Sequence, residues 1–130
     1  MKFFLLAFIS ISLFSCHKND AELEGLTWNV ANFTNQDGDK TINGISCALN
    51  LSEGNANINL EVNSCFGTYN LGTNGQINFL DGFGCTEACC DEPESEEALR
   101  MITKCTQYSI NGNTLTLSNS NGIMVILKKD

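Results

Sequence analysis

Apolar side chains recur at every second position along most of this chain, and short glycine-bearing turns cut the pattern into pieces. Leu26, Trp28 and Val30 alternate with Thr27 and Asn29. Ile45, Cys47, Leu49 and Leu51 do the same, and Ile58, Leu60 and Val62 read as a return strand. Tyr69 with Leu71, Ile77 with Phe79, Tyr108 with Ile110, and Leu115 with Leu117 continue the period. A period of two places alternate side chains on opposite faces of a strand, so each piece is half-buried. Asp37-Gly38-Asp39, Glu53-Gly54-Asn55, Thr73-Asn74-Gly75, Asn111-Gly112 and Asn119–Gly122 mark the turns, Asn-Gly being a strong hairpin signal. The last run, Ile123 to Leu127, has little polar alternation and reads as a strand in mid-sheet. The expected fold is mainly β (α+β): an antiparallel sheet of seven or eight short strands, curled into a barrel or sandwich.

One helix interrupts the pattern, expected over residues 93–103. Pro93 suits a first helical turn, Glu94, Glu96 and Glu97 complement the positive helix N-terminus, and Ala98, Leu99, Met101 and Ile102 form an apolar stripe. The segment from Asp81 to Glu92 holds glycines, cysteines and acids without alternation, so it reads as an irregular, cross-linked loop.

The N-terminus is of a different kind. After Lys2 the chain is almost wholly apolar from Phe3 to Phe14. That is shorter than the roughly 20 residues needed to span a bilayer core, and it has the length of a signal-peptide apolar region. It ends in Leu13-Phe14-Ser15-Cys16, which resembles the lipobox of bacterial lipoproteins. The resemblance implies removal of residues 1–15 as a signal peptide and lipidation of Cys16. Residues 16–22 would then be a lipidated tether, and 23–130 the folded domain. The partner so implied is a membrane, reached through the lipid. His17 rather than aspartate follows Cys16, which favours the outer membrane within a bacterial cell envelope.

Six further cysteines remain: Cys47, Cys65, Cys85, Cys89, Cys90 and Cys105. An even number in an exported chain reads as a disulfide framework, with its connectivity open. A helix of about ten residues is roughly 15 Å long, while bridged Cα atoms lie about 5–6 Å apart. A bond from Cys89 or Cys90 to Cys105 is therefore disfavoured. Cys89 and Cys90 are not expected to pair with each other, because neighbouring side chains diverge.

Charge and motif content narrow the function. The full chain has a formal charge of −8; losing Lys2 with the leader leaves 6 basic against 15 acidic side chains, a charge of −9. Such a surface repels nucleic acid. The single histidine is His17, beside the anchor, so a Ser-His-Asp or Cys-His set has no base. Cys85-x-x-x-Cys89-Cys90 lacks the paired Cys-x-x-Cys spacing of structural zinc and of redox pairs. Asp81 and the acids of 91–97 could be drawn as a calcium loop, but Pro93 stands where a turn glycine would help. No catalytic residue, metal or cofactor is expected.

Several segments together resemble the META domain of small bacterial heat-shock-type and envelope proteins, over residues 23 to 128. Leu23-Glu24-Gly25-Leu26-Thr27-Trp28 matches its opening strand, and Gly67-Thr68-Tyr69 its Gly-x-Tyr strand. Thr86–Cys90 stands for its Thr-x-x-Ala-Cys loop, with Ala88 one place early; Asn63 holds the position of its Asn, with the cysteine displaced to Cys65. Tyr108-Ser109-Ile110-Asn111-Gly112-Asn113-Thr114-Leu115-Thr116-Leu117 is the best match. The anchor, an ordinary core and the lack of a catalytic set together lead to the expectation of a non-enzymatic envelope lipoprotein with a META-like, disulfide-stapled β-domain, in a structural or protein-contact role, its envelope protein partner unknown. The alternative is a lipocalin-like carrier, with Trp28 and Tyr69 lining a pocket for a small apolar ligand.

Overall fold

A computed structural model of the chain describes residues 18–130. The leader, Cys16 and His17 lie outside the described residues. The first element is a short helix, α1 (Lys18–Leu23). Ten strands follow: β1 (Thr27–Thr34), β2 (Lys40–Thr41), β3 (Ala48–Ser52), β4 (Asn55–Asn59), β5 (Ser64–Leu71), β6 (Ile77–Phe79), β7 (Gly84–Cys85), β8 (Gln107–Asn111), β9 (Thr114–Ser118) and β10 (Met124–Lys129). The second helix, α2 (Pro93–Thr103), lies between β7 and β8.

All strand pairs are antiparallel, in the order β6-β5-β4-β3-β1-β10-β9-β8, with β2 on β1 and β7 on β5. The two ends of that order approach each other. Gln76 bridges to Gln107, the Tyr108 N–H donates to Gly75 O at 2.8 Å, and the Ile77 N–H to Thr106 O at 3.1 Å. The sheet is thus nearly closed into a barrel, which hides most of its edges. The Asn-Gly turn at 74–75 makes this closure possible: both residues have positive φ, 57° and 76°, as a two-residue hairpin turn demands.

The interior is filled by the expected alternation. Trp28, Leu49, Leu51, Ile58, Ile77, Leu115, Leu117, Val125 and Leu127 are all fully buried. In β1 the parity breaks, since Val30 and Phe33 both point inward. A register shift between Val30 and Asn32 absorbs the extra residue as a bulge. β10 lies between β1 and β9, in mid-sheet as its composition suggests.

The structure differs from the sequence reading in detail. β4 ends at Asn59, and Val62 is exposed rather than part of the return strand. β2 and β7 are two-residue strands with no periodicity to announce them. Residues 18–23 are helical and packed on the domain. Leu23 is fully buried, the Trp28 indole N–H donates to its carbonyl at 3.0 Å, and the Tyr108 hydroxyl donates to Asp20. α1 thereby covers the barrel end where β3 finishes, while α2 covers the end where β3 begins, through Ala98, Met101 and Ile102. Neither helix is long and apolar enough to cross a membrane.

Candidate functional site

The α2 end of the barrel carries the densest polar network among the described residues, and Asn63 is its hub. This side chain is only 9% exposed, so its amide needs partners. Its nitrogen donates to Ala88 O at 2.7 Å and to Asp91 Oδ2; its oxygen accepts from the Ala88 N–H and the Thr86 hydroxyl, both at 2.8 Å. Both donors and both lone pairs are used. One amide thus shapes the whole loop from Thr86 to Asp91, the segment between β7 and α2.

Asp91 closes the loop onto the strand side. It accepts from the backbone N–H groups of Val62 at 2.7 Å and Asn63 at 3.2 Å. Partial desolvation pushes its carboxyl up, but those donors and the Asn63 amide outweigh it and hold the group below the usual carboxylate range. Beside it, Ser95 is buried within the apolar stripe of α2. Its hydroxyl donates to Glu61 Oε1 and accepts from the Ser46 N–H at 2.8 Å. These bonds pin the first turn of α2 to the strand ends.

The cysteines divide into three kinds. Cys65 and Cys85 face each other across β5 and β7 and are bridged, with Cα atoms 4.0 Å apart. Cys89 and Cys90 are neighbours in the 86–91 loop, with their sulfurs side by side. Cys47 and Cys105 are free thiols, so the expected third bridge is absent among the described residues. Both lie in the core and pack as small apolar side chains. Burial pushes each thiol up to about 12, aided at Cys47 by Glu61, and the Cys105 thiol donates to Met101 O at 3.3 Å.

A groove of about 200 Å³ runs over this network. Leu60, Leu99 and the Cys65–Cys85 bridge contribute its apolar lining; Thr86, Asp91, Glu96 and Arg100 are its polar lining. Pockets that enclose a small ligand run to about 300–1,000 Å³, so this one fits a partner's side chain better than a whole molecule.

Trp28 and Tyr69, the sequence candidates for a ligand pocket, do not reach the groove. Trp28 is fully buried, and Tyr69 donates its hydroxyl to Glu24 at 2.7 Å at the opposite end. Both are core. Among the described residues no group of three or more His, Cys, Asp or Glu side chains is placed to hold a metal ion, and Asp81 does not join the 91–97 acids in one. Cys16, the lipidation candidate, lies outside the described residues. Sequence reasoning missed Glu61, Ser95 and Ser46 as a unit. The one available signal was a serine at the helical spacing of Ala98 and Ile102.

The family model of the META domain matches residues 21–130. A structure of a protein from Burkholderia xenovorans, determined by NMR, superposes with a TM-score of 0.66 at 19% identity, covering 85% of each chain. A crystal structure of a DUF4847 family protein from Bacteroides vulgatus gives 0.63 at 15% identity, covering 84% of this chain and 95% of that one. At such identities the likeness is one of fold. A search of curated proteins finds no match.

Proposed function

The chain belongs to the META domain family, and from that premise we propose a non-enzymatic, lipid-anchored envelope protein that acts by contact with another envelope protein. The observation that carries the proposal is the commitment of the site's chemistry to the fold. The Asn63 amide is saturated, Asp91 is tied to backbone donors, Cys65 and Cys85 are bridged, and Cys47 and Cys105 are buried as high-pKa thiols. A general base or nucleophile needs a free lone pair and a tuned pKa near working pH. What the site offers outward is a side-chain-sized apolar groove rimmed by Arg100 and Glu96. The lipobox at Leu13–Cys16 supports anchoring, and the acidic surface supports a domain that stays soluble.

Two measurements test this. Lipidation and cleavage predict that the mature protein fractionates with membranes, and that Cys16→Ser leaves it as an unprocessed precursor. For the contact, a photo-crosslinking residue at Arg100 should give a discrete adduct in native cells, while one at Asp37, in the turn after β1, should not. The same adduct pattern at both positions would sink the contact reading.

A further inference from the structure

The outer face of the sheet is chemically unusual. Strands β1, β3, β4, β5 and β6 contain no charged residue, in a chain with 15 acidic side chains. Their outward positions are filled largely by asparagine, with Asn50, Asn55, Asn57 and Asn59 on β3 and β4. Asparagine is depleted in strands, so sheet stability alone would place Thr, Val or Tyr there. One aromatic ring stands among the amides. Phe66 is 56% exposed, and its cross-strand neighbours are Asn57 on one side and Gly84 on the other. A side chain at Gly84 would meet open space, so one flank of the ring has no wall. In the same row the Asn57 Oδ1 is enclosed and has no hydrogen-bond donor, so it meets one only when the side chain turns outward.

We propose that the β4–β5–β7 outer face, centred on Phe66 and Asn57, binds a neutral oligosaccharide. Amides both donate and accept, which suits a ligand covered in hydroxyls. An exposed aromatic face suits the apolar C–H side of a pyranose ring. The lack of charge argues against nucleic acid and anionic polymers, which need cations. A protein interface would carry a wider apolar centre, whereas here Phe66, with Leu80 beyond Thr68, is set among amides. The inference uses neither the lipid anchor nor the groove beside α2, and stands or falls apart from them.

The test is an NMR titration of the exported, mature protein with chitohexaose and with maltohexaose, both neutral, beside an anionic heparin hexasaccharide. Saturable shifts with a neutral probe at concentrations up to about 1 mM, grouped on Asn57, Asn59, Phe66 and Thr68, are expected. Phe66→Ala should weaken that binding by about tenfold or more. Asn57→Thr should also weaken it severalfold while leaving the thermal midpoint no lower, because threonine is the better strand former. That second variant separates binding from folding. No saturable shift with either neutral probe, binding of the anionic probe alone, or neutral binding unaltered in Phe66→Ala would each overturn the proposal.

Discussion

Single residues carry most of the specification at the two ends of the barrel. Gly75 has φ of +76°, and a Cβ there would lie 2.6 Å from the carbonyl oxygen of Tyr108, the strand that closes the sheet. Backbone cannot step aside as a flexible side chain could. Gly75→Ala should therefore cost about 2–3 kcal/mol, above the usual penalty of the left-handed region, as read from urea midpoints. Gly38 has the same sign of φ but nothing near its would-be Cβ, so Gly38→Ala should cost only about 1 kcal/mol. Asn63 makes a sharper case. Replacing it with aspartate keeps the shape but turns its two donor bonds into contacts of a carboxylate with Ala88 O and Asp91. The two carboxylates would share one site, and the depressed pKa of Asp91 in the native protein means its charge persists to low pH. Asn63→Asp should destabilise by about 2–4 kcal/mol at neutral pH. The loss should shrink as pH falls from neutrality towards about 4, because the neighbouring charge raises the native pKa of the new carboxyl and it takes its proton above the unfolded value. A penalty independent of pH would show that charge is not its cause.

At the scale of elements, periodicity was legible and long-range chemistry was not. The eight longer strands fall in the segments that alternation and turns mark out, though β3 starts after Cys47 and β4 ends before Leu60, and α2 has the bounds that Pro93 and the apolar stripe suggest. Period two is a local property, fixed by burying one face of each strand. The two-residue β2 and β7 have too few residues to show a period, and they exist because neighbouring strands hold them in place. Cysteine pairing failed for a related reason. Parity cannot distinguish a bridging cysteine from one that fills the core, as Cys47 and Cys105 do. Nor could sequence distance reveal that Asn63 holds the 86–91 loop, although the family resemblance had marked Asn63, Thr86 and Ala88 separately. The Cys65–Cys85 bridge, closing a loop of 20 residues, holds β7 and the start of that loop. Cys85→Ser should lower stability by about 3 kcal/mol. The Thr86 amide, which donates to Ser64 O across this junction, should lose hydrogen-exchange protection before the β4–β5 ladder does. Simultaneous loss in both would mean that β7 is not a separable unit.

The described residues form one nearly closed barrel, and its response to alkali should reveal that closure. Four groups that titrate above neutral pH are enclosed by it. Burial holds the thiols of Cys47 and Cys105 at about 12 instead of 9.0. Tyr69 and Tyr108 are also pushed upward, first by burial and then by their bonds to Glu24 and Asp20. In each case the native state binds its proton more tightly than the unfolded chain. Stability is then fully present below the unfolded values of 9.0 and 10.0. It declines as pH rises past them towards the native values. The chain has only two tyrosines, and both belong to this set. Neither should therefore give up its proton while the barrel stands. Tyrosinate absorbance is expected to stay near zero through pH 10, then to appear in one cooperative step that coincides with loss of far-ultraviolet ellipticity. The hydroxyls point to the α1 end, so the step also reports on α1. Tyr108→Phe, which frees Asp20 from that bond, should lower the pH at which α1 releases while the Tyr69 step stays cooperative with the sheet. Gradual ionisation around pH 10 with ellipticity intact would instead show both hydroxyls open to solvent, and α1 resting on the barrel without sealing it.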